Sequence, residues 1–338
     1  MAVKVLFCFY PLFVSYNAGV ALLSKLCKCA GMETDLCLLL EAEDFVRKAE
    51  KADFICFSST TEEDHKQAQP FMLMGQSMGK PVLAGGPYFH LGVQCSYADR
   101  ICHGDGERLI WYLQRGDETV FEKPSFDIDL DLLPLPDYEM FKDIPFDRGM
   151  PFNQGDFILP YISSRGCPYH CRFCQAHIAP RKTRVRHRVE EDLSYLIDRY
   201  GPDMFFIGDA LIPYYDRKWK ESWGDLRFPF LAYIRADIEP DDLMWLIDRG
   251  MKGCAFGVES GIEAYRNDIL HKGVLDDEIF RTTRILAKHK IPYVQSYLYG
   301  APFEKFEMIT ASVKFAERVG GTPMFYEFID LQRSPAWA

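Results

Sequence analysis

Short apolar runs alternate with amphipathic ones along almost the whole chain, and this alternation restricts the fold more than any other feature. In the first third, VKVLFCFY, ETDLCLLL, ADFICFSS and PVLAGG read as strands. GVALLSKLCKCAG, EAEDFVRKAEKA and EDHKQAQPFMLMGQSMG between them have helical spacing. RICHGDGERLIWYLQRG then carries a strand end, a turn and a helix. Strands that are apolar at nearly every position are buried on both faces, so this part predicts a doubly wound parallel sheet with helices on each side. Sheets of this kind bind ligands beyond the carboxyl ends of their strands.

From Phe121 to about Met150 both periodicities dissolve into a proline-rich and acidic stretch, EKPSFDIDLDLLPLPDYEMFKDIPFDRGM, which reads as an interdomain linker. The alternation then restarts. Strands are expected at FILPYIS, MFFIGD, FPFLAYIRAD, GCAFGVES, YVQSYLYG and PMFYEFIDL, with helices between them and none after the sixth. Acidic residues open two of these helices, Asp241–Asp242 and Asp276–Glu278, at the positive end of the helix dipole. Six parallel β/α units predict a partial (β/α)6 TIM-type barrel rather than a closed one. The expected organisation is a Rossmann-like α/β domain over 1–120, a linker over 121–150 and the partial barrel over 151–338.

The formal net charge of −10 comes from interspersed acidic and basic residues, which argues against nucleic acid as a partner. The one dense basic run, RKTRVRHR at Arg181–Arg188, reads as a solvated face leading into a helix at Val189. EDHKQ around His65 likewise reads as a helix surface. The N-terminal MAVKVLFCFYPLFV has one lysine before an apolar stretch but no small-residue cleavage site, so a buried strand is the better reading than a signal peptide. No run is apolar and long enough to suggest a membrane span. Eleven cysteines, several inside apolar runs, suggest free thiols in a reducing cytoplasm.

SSRGCPYHCRFC, Ser163 to Cys174, places Cys167, Cys171 and Cys174 at CxxxCxxC spacing just past the first barrel strand. Zinc is one reading, with His170, His177 or His187 as a fourth ligand. A disulfide would leave one cysteine over. A 4Fe-4S cluster normally takes four cysteines, so three would leave one iron open to an exchangeable ligand.

CxxxCxxC after the first strand of a partial barrel resembles the signature of the radical S-adenosylmethionine (SAM) superfamily. The resemblance implies that SAM chelates the fourth iron and is cleaved by an electron from the cluster, giving a radical that abstracts hydrogen from unreactive C–H bonds. Further residues resemble the family's SAM contacts: Phe173 beside the adenine, and Gly208–Asp209 where the amino group is held, in place of the usual Gly-Gly-Glu. Arg235 and Asp237 in IRAD, with Glu259 and Ser260 in GVESG, resemble the residues holding ribose and carboxylate. Gly300 and Pro302 in YGAPFE resemble the fifth-strand turn near the adenine.

The first domain resembles the cobalamin-binding domain fused before such barrels. On the residues alone, glycine pairs at a strand end allow close backbone approach to a bulky ligand, and neighbouring hydroxyls offer hydrogen bonds. GxGxxG is absent from the first βα turn, which argues against a dinucleotide. The resemblance implies a cobalamin nucleotide tail beside Ser58, Ser59, Thr60 and Thr61 and the Gly85–Gly86–Pro87–Tyr88 turn. Gly104, Gly106 and Glu107 in HGDGE match a recurring GxGE turn, and LPLPDYEMF looks like the family's joining segment. The DxHxxG motif with its cobalt-ligating histidine is absent.

Taken together the resemblance implies a cobalamin-dependent radical SAM C-methyltransferase served by an external flavodoxin- or ferredoxin-type electron donor. The same parts could instead perform cyclisation, ring contraction or oxidation, or serve a cobalamin- or metal-binding regulator on a decayed barrel. The sequence stops just after the sixth strand, and a laterally open barrel favours a peptide or protein side chain over a small metabolite. No residue emerges as a catalytic acid or base; Tyr88, Tyr214 and Tyr299 fall in suitable loops but such aromatics commonly pack.

Overall fold

The computed structural model describes residues 2–11, 16–144, 157–184 and 188–328. The chain divides into two compact units, residues 1–149 and 150–338.

The first unit contains β1 (Lys4–Phe9), α1 (Ala18–Cys29), β2 (Glu33–Leu38), α2 (Ala42–Ala49), β3 (Phe54–Ser58), α3 (Glu62–Ser77), β4 (Val82–Gly85), β5 (Arg100–Ile101) and α4 (Leu109–Arg115). Its five strands are all parallel and ordered β2-β1-β3-β4-β5. This is a doubly wound sheet whose strand order reverses between β1 and β3. Leu6, Cys8, Ile55, Phe57, Val82 and Ala84 of the strands form one core with Phe45 and Met72 of the helices. Helix starts follow local chemistry. The Asn17 side chain accepts from Val20 N at 3.0 Å to cap α1, and Thr61 and Asp64 form a reciprocal capping box on α3.

The proline-rich stretch expected as a linker is packed, at least through residue 144. Leu130 and Leu133 join Leu22 of α1 in a small apolar cluster. Tyr138 stacks on Tyr16 at 6.0 Å, and Phe141 lies 4.7 Å from the same ring. Buried Asp137 accepts from Ser24 Oγ and pairs with Lys28 Nζ, each at 2.6 Å. Proline and aspartate remove the helical and strand periods, yet Leu130 and Leu133 still bury themselves on α1, and Tyr138 and Phe141 on Tyr16 just ahead of it. The rest of that stretch, 145–150, lies outside the described residues.

The second unit contains β6 (Ile158–Tyr161), β7 (Ser164–Arg165), β8 (Lys182–Thr183), α5 (Arg188–Tyr200), β9 (Met204–Ile207), α6 (Arg217–Trp223), β10 (Phe230–Tyr233), α7 (Pro240–Asp248), β11 (Met251–Glu259), α8 (Asp276–Lys288), β12 (Tyr293–Tyr299), α9 (Phe306–Val319) and β13 (Thr322–Glu327). Six parallel strands run in sequential order from β6 through β9 to β13, with β6 and β13 as edges, so the barrel is open. Helices cover its outer face: Tyr161 Oη donates to Asp192 of α5 at 2.9 Å, and Gln295 Nε2 donates to Ala316 O of α9 at 3.0 Å. β7 and β8 form a separate two-residue antiparallel ribbon.

Within the basic run Arg181 is exposed, as expected of a solvated face, but Arg184 is not. Arg184 is buried and lies 3.7 Å from Asp192, also buried, while Arg181 sits over the Tyr215 ring at 5.0 Å. Residues 185–187 lie outside the described set. Among the described residues no helix is long and apolar enough to cross a membrane.

Candidate functional site

The cysteine loop begins where β6 ends and is clasped by the β7/β8 ribbon, which pairs Ser164 with Thr183 and Arg165 with Lys182. Gly166 makes the clasp possible. Its φ is +74°, and a Cβ there would stand 2.6 Å from Ala179 O. Inside the loop Cys174 N donates to Cys171 O at 3.1 Å, forming a turn, and Arg172 N donates to Leu270 O at 3.0 Å. Cys171 is buried, while Cys167 and Cys174 are partly exposed.

Two cations converge on this loop. Arg235, just past β10, has Nη1 3.9 Å from Cys171 Sγ and its guanidinium 3.6 Å from the centre of the Tyr169 ring. Asp237 holds it in a forked pair, with Nε and Nη2 each donating at 2.9 Å. Lys272 Nζ pairs with Glu259 at 2.9 Å in a buried ion pair and sits 5.7 Å above the Phe173 ring. Burial pushes the Cys171 thiol up, and Lys272 and Arg235 pull it back down.

Glu259 reaches that position through strained backbone. Its φ is +70°, in the left-handed region, and the β11/β12 register shifts between Gly257 and Glu259. The carboxylate folds back over Gly257, where any Cβ would collide with Oε1 of Glu259. Such strain persists when the surroundings over-determine it, and here the buried ion pair does so.

The other expected SAM contacts divide. Phe173 packs against a cluster of Tyr265, Leu270 and Ala301. Gly300 has φ +79° and donates to Glu304 at 2.6 Å; Pro302 O accepts from Tyr265 Oη at 2.7 Å. Ser260 is buried, its hydroxyl accepting from Ile262 N at 3.2 Å. Gly208 N donates to Tyr161 O at 2.9 Å, across the β6–β9 pair.

Asp209 is engaged by the residues at the end of β6. It is buried, and its Oδ1 accepts from Ser163 N at 2.7 Å and Ser164 N at 3.0 Å, while its Oδ2 accepts from both serine hydroxyls. Trp219 Nε1 extends this network by donating to Ser163 Oγ at 2.8 Å. Both carboxylate oxygens are thus engaged in holding the end of β6.

Lys272, Tyr169 and the β7/β8 ribbon escaped sequence reasoning. Lys272 lies outside any strand-end motif, and a two-residue ribbon has no period to detect. The rings of His170 and His177 lie 5.2 Å apart, and His177 Nδ1 is buried without a partner. His187, the other zinc-ligand candidate, lies outside the described residues. Burial pushes the Cys174 thiol up, and the neighbouring Cys171 and Cys167 add to that push. Among the described residues no three His, Cys, Asp or Glu side chains converge closely enough to grip a metal ion as they stand. The chemistry of the donor set still fits a cluster: three thiols on one clasped loop, with fixed cations beside the buried one.

In the first unit the turns after β3 and β4 meet. Ser59 N donates to Gly85 O at 3.0 Å and Tyr88 N to Ser59 O at 3.1 Å. Gly86 has φ +103°, and a Cβ there would stand 2.5 Å from Ser59 O. Asn17 Nδ2 donates to Ser58 Oγ at 3.1 Å, bridging to the chain after β1. Thr60 N donates to Asp64 at 2.8 Å, and the Thr61 hydroxyl is used in the α3 cap. His65 is not a helix-surface residue. It is buried, stacked 5.1 Å from the Tyr88 ring and edge-on to Phe89. Burial pushes its imidazole pKa down. Ser59 Oγ and His65 Nδ1 are both buried without hydrogen-bond partners, which suits a ligand rich in polar groups at these strand ends. At Gly104 a Cβ would strike the Ser125 backbone at 2.2 Å, so only glycine fits. A Cβ at Gly106 would make ordinary contact with Leu23 at 3.4 Å, and Glu107 is buried.

The same architecture occurs in solved enzymes. TsrM from Kitasatospora setae, a radical SAM methyltransferase, matches 96% of this chain and 73% of its own at 14% identity, with a TM-score of 0.71. It has been solved with cobalamin and a [4Fe-4S] cluster, and with tryptophan substrate and a SAM analogue. OxsB, a cobalamin-dependent SAM radical enzyme solved with aqua-cobalamin, matches 98% of this chain and 54% of its own at 16% identity and a TM-score of 0.71. The chain shares its fold with cobalamin-dependent radical SAM enzymes. An uncharacterized methyltransferase of Pyrococcus horikoshii is 24% identical over 70% of this chain and 58% of its own length. The chain spans about half the length of the curated relatives it matches. No family model matches the sequence. The likeness accords with the two-part radical SAM architecture expected from the sequence.

Proposed function

We propose that this chain is a cobalamin-dependent radical SAM methyltransferase, holding a 4Fe-4S cluster on Cys167, Cys171 and Cys174. The carrying observation is the clasped cysteine loop at the open barrel's first strand end, with Arg235 and Lys272 each fixed by its own carboxylate beside it. When bound, the cluster supplies the electron that cleaves SAM, and cobalamin carries the methyl group. The chain's residues position and insulate. Arg235 offsets negative charge at Cys171, and Asp237 keeps the guanidinium from turning away. Glu259, Ser260, Phe173, Gly300 and Pro302 line the SAM position, with Lys272 as an added cation for the carboxylate. Gly208 belongs to the same strand-end rim, and Asp209 to the scaffold beneath it.

In the first unit, Ser58, Ser59, Thr60, Gly85, Gly86, Pro87 and Tyr88 would meet cobalamin, with Ser59 Oγ and His65 Nδ1 supplying the open hydrogen bonds. The substrate carbon belongs to a peptide or protein side chain or to a smaller molecule, and reduction comes from a flavodoxin- or ferredoxin-type donor. Anaerobic reconstitution with iron and sulfide, then methyl-labelled SAM, tests the reading. Brown iron–sulfur absorption lost in the C167A/C171A/C174A variant, and a product gaining one labelled methyl, support it. Full absorption in that variant defeats the cluster assignment. An unlabelled product defeats methyl transfer and favours cyclisation or oxidation.

A further inference from the structure

A guanidinium taken fully out of water is costly unless its donors are met and its charge is paired. Arg266, in the loop after β11, is completely buried, and each of its three nitrogens is engaged. Nη1 donates to Ser260 O and Nε to Val274 O, each at 2.8 Å. Nη2 pairs with Asp276, the first residue of α8, and the Phe315 ring of α9 lies 5.8 Å from the guanidinium carbon. Ser260 directly follows Glu259, and Val274 comes two residues after Lys272. The guanidinium therefore ties together the two stems of the loop that brings Lys272 back to Glu259.

The loop between those stems is wound tightly. It contains a π-helical turn at Tyr265–Ile269, a form that recurs at functional sites. Asn267 adds a second brace, its Oδ1 accepting from Val274 N at 2.9 Å and its Nδ2 donating to Val274 O at 3.0 Å. Both neighbours of Lys272 are left-handed, His271 with φ +52° and Gly273 with φ +66°. A histidine held there stores strain, which persists only while the surroundings over-determine it. Lys272 N donates to Arg266 O at 3.0 Å, and Lys272 O accepts from Arg235 Nη2 at 2.8 Å. Leu270 O accepts from Arg172 N of the cysteine loop at 3.0 Å. One loop thus touches the end of β10, the end of β11 and the cysteine loop, and Arg266 closes it.

We infer that Arg266 is a positioning residue: by joining Ser260 O to Val274 O it fixes the Lys272 ammonium beside Glu259, set to meet an anionic group of the ligand. The identity of that anion, the carboxylate of SAM, rests on the radical SAM reading. Lysine cannot take the place of Arg266, because a single ammonium lacks the planar fork that reaches two carbonyls and a carboxylate at once.

Two measurements on the full chain test it. Without cluster or SAM, brief acetic anhydride labelling read by mass spectrometry reports how readily each lysine comes free. Arg266→Lys should raise labelling of Lys272 about tenfold, as a locally opened loop would. Lys220, ion-paired with Asp242 elsewhere in the same unit, should stay within about twofold, whereas general loosening would free both. Asp276→Asn, altering a partly exposed partner, is the milder second variant and should raise Lys272 labelling in the same direction. Far-UV circular dichroism checks that each variant is folded. In the reconstituted protein, at equal iron content, equilibrium dialysis compares SAM with 5′-methylthioadenosine, which lacks the carboxylate. Arg266→Lys should weaken SAM about tenfold and methylthioadenosine by less than about threefold. Added to Lys272→Met, it should weaken SAM by no more than about threefold further, because residues acting through one another are not additive. Lys272 labelling that rises no more than that of Lys220, equal losses of both ligands, or single losses that multiply in the double variant overturns the inference. If labelling responds as expected while the reconstituted parent binds SAM no more tightly than methylthioadenosine, the SAM reading fails and the positioning of Lys272 by Arg266 stands.

Discussion

Asp209→Asn separates two roles that one aspartate at a strand end could play. Burial pushes the Asp209 carboxyl up from 3.8 to about 6 despite the donors around it. Two pKa units correspond to about 3 kcal/mol. Because the folded pKa lies above the unfolded one, this contribution to stability is complete below about pH 4. It is lost as pH rises through about 6. Asparagine fits the same space. Its Oδ1 can accept from Ser163 N and Ser164 N as the aspartate's Oδ1 does. Its Nδ2 can donate to the two hydroxyls that now donate to Oδ2. The variant should therefore match the parent near pH 4 and exceed it by up to about 3 kcal/mol near pH 8. Asp209→Ala, in contrast, strands both backbone N–H groups at every pH, at about 1–3 kcal/mol each. Urea unfolding followed by tryptophan emission reads this unit directly, since Trp219, Trp223 and Trp245 cluster beside the network. SAM affinity of Asp209→Asn, measured by equilibrium dialysis, should stay within about threefold if the carboxylate is scaffold. Parallel pH curves for parent and Asn variant would refute the burial argument. Loss of SAM binding in a folded Asn variant would return Asp209 to the SAM site.

Three further perturbations follow from the same geometry. Lys272→Met leaves the Glu259 carboxylate buried and unpaired, so thermal unfolding should show a loss of about 3–5 kcal/mol, largely recovered by adding Glu259→Gln. Gly86→Ala forces a side chain into φ +103° and against Ser59 O, and the first unit should lose at least about 2 kcal/mol by chemical denaturation. Gly166→Ala should unclasp the cysteine loop without unfolding the barrel: reconstituted iron content falls while far-UV circular dichroism holds. Normal iron content in that variant would show that the ribbon does not set the loop.

How much of this was legible depends on what each residue's neighbours do. The strands announced themselves because both faces of a parallel sheet are apolar, and the sequential barrel order followed from regular spacing. The proline-rich stretch misled because aspartates and prolines erase periodicity while Leu130, Leu133 and Tyr138 still pack. His65 sits among charged residues in sequence, yet its helix turns it against Tyr88 and Phe89. At strand ends, residue type located the site but did not say which polar atoms were free. Asp209 and Glu259 looked alike in sequence, each an acid just past a strand end. In the fold, Asp209 is spent on four donors from its own scaffold. Glu259 is turned by a bulge and a positive φ over Gly257 toward Lys272. Neither the bulge nor the lysine leaves a trace in local propensity, because the bulge depends on pairing with β12 and the lysine on a segment thirteen residues on being carried back over the same strand end. What distinguishes an acid that holds the scaffold from one that faces the site is therefore the set of donors the tertiary structure presents to it.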